Sequence, residues 1–141
     1  MKSFDDDKYP HSDLTGRIIA AAKAVHDEMR PGLDESLYER AVCIELAECL
    51  IPFEQQKEYG VFYKSHYVGK LRPDLVVDEK VIVDLKVVET ISESHVSQIL
   101  GYLAITGLEV GLIINFRHAH LQIKRVANLK PGQHGGNIRL R

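Results

Sequence analysis

The sequence lacks what a membrane or secreted protein would need. No apolar run approaches the ~18 residues of a membrane span, and the opening MKSFDDDKYP is acidic where a secretion leader would be basic and then apolar. Cysteine is scarce. Cys43 and Cys49 lie on one expected helix and point to different faces, so they cannot bridge to each other. That excludes a disulfide scaffold and suits a reducing compartment, with both expected to be buried thiols. A large excess of either charge is also missing. Eighteen Lys and Arg against twenty Asp and Glu give a net charge of −2, so any site for a polyanion has to be local. There is no internal repeat. A soluble, cytoplasmic protein that avoids membranes is expected.

What is present suits one domain: 141 residues, 45% of them hydrophobic, are enough for a real core. Residues 1–13 carry no periodic pattern and are expected to be a flexible tail, although Ser12 and Asp13 can cap the first helix. Leu14, Ile18, Ala21, Ala22, Val25 and Met29 recur at helical spacing up to Arg30. After Pro31 and Gly32, Asp34 can cap a second helix with Leu37, Ala41, Ile44 and Ile51 as its apolar face, stopped by Pro52. Extended segments follow at about 53–63, 67–77, 80–88, 109–116 and 120–126. A third helix over 93–105 places Val96, Ile99, Leu100 and Leu103 on one side and His95, Gln98 and Tyr102 on the other. The order α-α-β-β-β-α-β-β predicts an α/β fold around a mixed sheet flanked by helices. Residues 127–141, Gly-rich and basic, read as a second flexible tail.

The stretch RPDLVVDEKVIVDLK, residues 72–86, carries the chemistry. If Asp78, Glu79 and Lys80 form a turn, Leu75, Val77, Val81, Val83, Leu85 and Val87 share one apolar face, and Asp74, Val76, Ile82, Asp84 and Lys86 share the other. Asp74 then lies opposite Asp84. Two carboxylates with Cβ atoms about 5 Å apart repel by about 3 kcal/mol at an effective dielectric near 20. An exposed pair with Lys86 would return only ~0–1 kcal/mol. A divalent cation would cancel the repulsion, and hard oxygen ligands suit Mg²⁺ or Mn²⁺. The plainer alternative is that both acids are solvated at strand ends.

Pro73-Asp74, nine residues, then Asp84-Leu85-Lys86 match the motif that names the PD-(D/E)xK nuclease superfamily. Gly32, Glu35 and Tyr38 also match the signature of the small bacterial GxxExxY proteins assigned to it, and PGLDESLYERAV, RPDLVV, VIVDLKVVE and HVSQILGYLAITGLEVGLIINF resemble that family's blocks in order, over about residues 14–126. One departure is Asp84, where most members look to carry glutamate. The resemblance implies a restriction-endonuclease-like core and a metal-dependent nuclease hydrolysing phosphodiester bonds of DNA or RNA by in-line attack of a metal-activated water, leaving a 5′-phosphate. It implies Glu35, Asp74 and Asp84 as metal ligands and Lys86 as the assisting cation. The alternative is a noncatalytic module of the same fold that binds nucleic acid or a protein partner.

Each site residue has a plainer reading beside this one. Glu35, in the first turn of a helix, gains from the helix dipole without any ligand. Tyr38, one turn on, can bond a carboxylate or phosphate, or simply pack. The backbone carbonyl of Leu85 is a candidate third metal oxygen, and with metal bound the acidity of Asp74 and Asp84 is expected to be normal or lowered. Gln98 and Tyr102 resemble the Q-x-x-x-Y accessory motif of RecB-like nucleases, and His95 extends the same stripe, though such a stripe is usually a helix's wet face. Gln55, Gln56 and Lys57 can add polar contacts, and Glu89 a water contact. His118 and His120, with His134, have no further zinc ligands at a recognised spacing. Arg117 to Arg141 holds six Lys or Arg and no acid, which suits a phosphate backbone or simply solubility. An exposed edge strand can pair two copies into a homo-oligomer.

Overall fold

The computed structural model describes residues 9–128. Of the tails expected at 1–13 and 127–141, residues 1–8 and 129–141, with His134, lie outside them, while Ser12 and Asp13 are helical and Ala127 ends a strand. Helix α1 (Ser12–Met29) buries Ile18, Ala21, Ala22 and Val25 along the expected stripe. Its first turn takes in Ser12 and Asp13, with the cap position falling on His11. The chain then reverses at Gly32, whose φ of +112° is a region that a side chain disfavours.

Helix α2 (Glu35–Glu48) begins after Asp34, which is extended and makes no side-chain cap bond. Its buried face differs from the expected one. Tyr38, Val42, Cys43 and Leu46 point inward, whereas Leu37 and Ile44 are exposed. The reason is aromatic: the Tyr38 ring stacks on Phe116 with centroids 4.6 Å apart, and this turns the helix. The helix also ends before Pro52. Cys49 sits at its C-cap and is exposed, so only Cys43 is the buried thiol expected of both.

The five extended segments become seven strands. The first segment breaks at Gln56, which adopts φ +54°, into β1 (Phe53–Gln55) and β2 (Tyr59–Tyr63). The second breaks around Pro73, giving β3 (His66–Leu71) and β4 (Leu75–Val77). After these come β5 (Val81–Lys86), α3 (Glu93–Thr106), β6 (Val110–Asn115) and β7 (Gln122–Ala127), so the helix–strand order stands. One mixed sheet runs β1-β4-β5-β6-β7, with β5 and β6 parallel and the other neighbours antiparallel; β2 and β3 form a separate hairpin. A parallel pair needs a crossover, and α3 is that connection.

Alternation along β4 and β5 sorts the two cores. Leu75, Val77, Val81, Val83 and Leu85 pack with α1, α2 and Phe116, while Val76, Ile82, Ile113 and Val126 pack with Ile99 and Leu103 of α3. Leu100, expected on the same face, is exposed. The approach of α3 to β6 depends on Gly111, where a Cβ would come within 2.6 Å of Ile99 Cγ2. The sheet is therefore covered on both faces, and the acids lie on the α3 side.

Candidate active site at the end of β5

The β4–β5 hairpin closes through the three-residue turn Asp78-Glu79-Lys80, with Leu75 opposite Val83, Val76 opposite Ile82 and Val77 opposite Val81. This is the register counted from the sequence, and it brings Asp74, one residue before β4, to Asp84. The two acids are held differently. Oδ2 of Asp74 accepts the Leu85 N–H at 3.0 Å, so one carboxylate grips the backbone of the neighbouring strand. Asp84 is only 5% exposed. Lys86 Nζ lies 3.0 Å from its Oδ2, and this ion pair is the contact that the buried oxygen makes.

The carboxylates strain each other electrostatically. Burial, then the charge of Asp84, pushes Asp74 from the ordinary carboxylate range up to about 6; the Leu85 N–H and the Lys86 ammonium draw it back only in part. Burial opposes the ammonium of Lys86, but Asp84, Glu35 and Asp74 outweigh it and its pKa is raised. Glu35 is raised by burial and then by Asp74. Tyr102 is raised by burial, then by Asp84 and Asp74. Asp74 and Lys86 thus feel Asp84 and each other, and both act on Glu35 from one side and on Tyr102 from the other. Gln98 joins from α3, where its Nε2 donates to the Tyr102 hydroxyl at 3.2 Å.

Other expected residues lie elsewhere. The Tyr38 hydroxyl donates to the Arg30 carbonyl at 2.6 Å and accepts the Leu33 N–H at 3.1 Å, which makes it a latch on the turn before α2 and not a contact of the site. His95 completes a capping box: its Nδ1 accepts the Ser92 N–H while Ser92 caps the His95 N–H. Gln55 donates to Glu39, Lys57 pairs with Glu54, and the Gln56 N–H bonds the Asp74 carbonyl. Glu89 pairs with Arg117, and its carbonyl accepts from the His118 ring. Leu85 stays at the site, between Asp84 and Lys86, with its side chain in the core and its N–H committed to Asp74; the candidate ligand is its carbonyl.

Asn115 belongs to none of the motifs. Fully buried at the end of β6, it accepts from the Val88 N–H through Oδ1 and donates to the Val88 carbonyl and Gln122 Oε1 through Nδ2. These bonds hold the chain just past Lys86. The only signal in the sequence is one amide inside the apolar run GLIINF.

The donors here can be tested against a metal. Among the described residues no three His, Cys, Asp or Glu side chains gather into a cage. The site offers two adjoining carboxylates, one with a buried oxygen held by Lys86 alone, and no nitrogen or sulfur ligand. That fits a hard divalent ion, which takes one or two carboxylates and keeps several waters.

No curated protein matches the chain. Among solved structures, the crystal structure of SSO0001 superposes with a TM-score of 0.53 at 12% identity, covering 87% of this chain and 59% of that one. The likeness is one of fold. A sequence model described as the PD-(D/E)XK nuclease superfamily matches residues 12–126, which include both acids, Lys86 and the helix that carries Glu35. The chain belongs to the PD-(D/E)XK nuclease superfamily.

Proposed function

We propose that the protein is a metal-dependent nuclease, using Mg²⁺ or Mn²⁺, that hydrolyses phosphodiester bonds of DNA or RNA and belongs to the GxxExxY branch of its superfamily. The observation that carries this is the Asp74–Asp84 pair, with a buried oxygen of Asp84 held by the Lys86 ammonium alone. A site that only stabilised the fold would not keep two interacting acids partly buried at such a cost. The signature also has a physical reading. Gly32 makes the turn, Tyr38 ties it down, and Glu35 in the next turn feels the charges of Asp74 and Lys86.

What a divalent ion supplies when bound is Lewis-acid polarisation and a water of lowered pKa. Asp74 and Asp84 are the residues that would hold it, and the Leu85 N–H fixes the orientation of Asp74. Lys86, kept cationic by three carboxylates, would offset the charge that builds on the phosphate. Glu35, with its proton affinity raised, suits removal of a proton from the attacking water. Tyr102 and Gln98 would orient the phosphate from the α3 side.

Purified protein assayed with Mg²⁺ or Mn²⁺ on single- and double-stranded DNA and RNA tests this. Cleavage is expected, with Asp84→Asn and Lys86→Ala each slowing it by about 10²-fold or more. Equal cutting by both variants, or no cutting of any substrate, would sink the catalytic reading. Binding without cutting would favour the noncatalytic module.

A further inference from the structure

The β2–β3 hairpin stands apart from the main sheet and keeps its apolar residues in solvent. Phe62 is 42% exposed, Tyr63 63%, Tyr67 60% and Val68 62%. A free two-stranded hairpin is marginal in water, and rings left in solvent add to its folding only their contact across the strands. Only its base joins the core: Tyr59, paired with Leu71, packs against the α3 cluster.

The rings are arranged in advance. Phe62 and Tyr67 face each other across the strands and meet edge to face at 5.7 Å. Phe62 also lies over Gly60, where a Cβ would approach its Cε1 to 2.9 Å, so the absence of a side chain there makes room for the pair. At the tip, Lys64 and Ser65 both take positive φ, as a tight two-residue turn requires, and Lys64 Nζ lies 5.4 Å from the Tyr63 ring centroid.

Charge selects the occupant. From Tyr59 to Pro73 the chain holds Lys64, Lys70 and Arg72 and no acid. Glu58 and Asp74 flank this stretch, and Glu58 lies 3.0 Å from Lys70 and 3.7 Å from Arg72, so one acid meets two cations while Lys64 stands at the tip, in a protein whose net charge is −2. Exposed rings among cations suit bases stacked beside phosphates, and only unpaired bases offer their faces. Strand β3 is joined to Asp74 by only Arg72 and Pro73. Tyr67 and Asp74 are seven residues apart, so their Cα atoms lie within about 25 Å, the rise of about seven stacked nucleotides.

We infer that the β2–β3 hairpin is a stacking arm for single-stranded nucleic acid, with Phe62 and Tyr67, which share one face, under the bases and Lys64, Lys70 and Arg72 along the phosphates, delivering the strand to the acid pair. It rests on the nuclease reading for the class of ligand and goes further in naming the surface and the unpaired state.

The test is fluorescence anisotropy on the full chain, in chelator so that nothing is cut, with a labelled thymidine oligonucleotide and a labelled duplex. The single strand should bind more tightly than the duplex. Phe62→Ala and Tyr67→Ala should each weaken it about 5- to 100-fold, while Phe62→Tyr and Tyr67→Phe retain it. Alanine variants that bind as tightly as wild type, a preference for duplex, no oligonucleotide binding, or a tyrosine-dependent dimer seen by sedimentation without strand binding would each overturn the inference. The two readings fail separately. Asp84→Asn should bind the strand without cutting it; if it cuts, the nuclease assignment of Asp84 falls and the arm stands.

Discussion

Asp74 shows what one residue of this site costs the fold. Its proton affinity is raised by burial and by Asp84, from 3.8 to about 6. A carboxyl group whose folded pKa lies above its unfolded value binds more protons when folded, so its contribution is fully present below pH 3.8 and is lost as pH rises through about 6. In the metal-free chain Asp74→Asn should therefore raise stability at pH 7 on the order of 2 kcal/mol, allowing for partial exposure, and should flatten stability between about pH 4 and 6 relative to wild type. Thermal or urea unfolding of both proteins in chelator measures this. An Asp74→Asn chain that unfolds more easily than wild type at pH 7 would show that the two acids do not repel as described. The conflict was legible in the sequence, because the turn length and the apolar alternation together set the register. The asymmetry of its relief was not. That Asp74 would take the Leu85 N–H while Asp84 kept an oxygen held by Lys86 alone depends on side-chain directions that no spacing rule supplies.

At the scale of elements, helix existence was legible and helix orientation only partly so. Stripes of apolar residues located all three helices, since amphipathic periodicity is a local property. The inward face of α2 is not legible from that periodicity, because tyrosine is amphipathic. Its ring can be core if the hydroxyl finds partners, and Tyr38 finds them in a turn that exists only once α1 and α2 are packed. The arm formed by β2 and β3 was hidden within longer extended segments, since the breaks at Gln56 and Pro73 become visible only when the strands enter different sheets. Helix α3 carries Gln98 and Tyr102 and is seated by one close approach, Ile99 over Gly111. Gly111→Ala should lower stability by about 1–3 kcal/mol, because Ile99 is stiff at χ1 and the helix itself must shift. Ile99→Ala removes the opposing methyl, so Gly111→Ala should cost far less in that background. A double-mutant cycle by thermal unfolding reads the difference, and purely additive effects would contradict the packing described.

For the whole molecule, proton and metal compete for the same pair of acids. If Asp74 must lose a proton to bind an ion, Mn²⁺ affinity measured by calorimetry should fall as pH drops below about 6, by up to about 10-fold per pH unit. The fall should be absent in Asp74→Asn, whose binding is already weak. An affinity unchanged between pH 7 and 5 would separate Asp74 from the ion. Among the described residues no helix is long and apolar enough to cross a membrane, and the net charge of −2 makes local surfaces decide what the protein holds.

The sequence by itself determined the hairpin register, and with it the meeting of two acids and a lysine on one face, because strand alternation and turn length are local rules that admit few solutions. Only the tertiary structure decided which face of α2 is core, that the turn before it is latched by Tyr38, that Asn115 holds the chain beyond Lys86, and that one hairpin leaves the sheet with its rings in solvent. Those outcomes depend on which distant groups are free to pack or to bond, and that is settled when the layers come together.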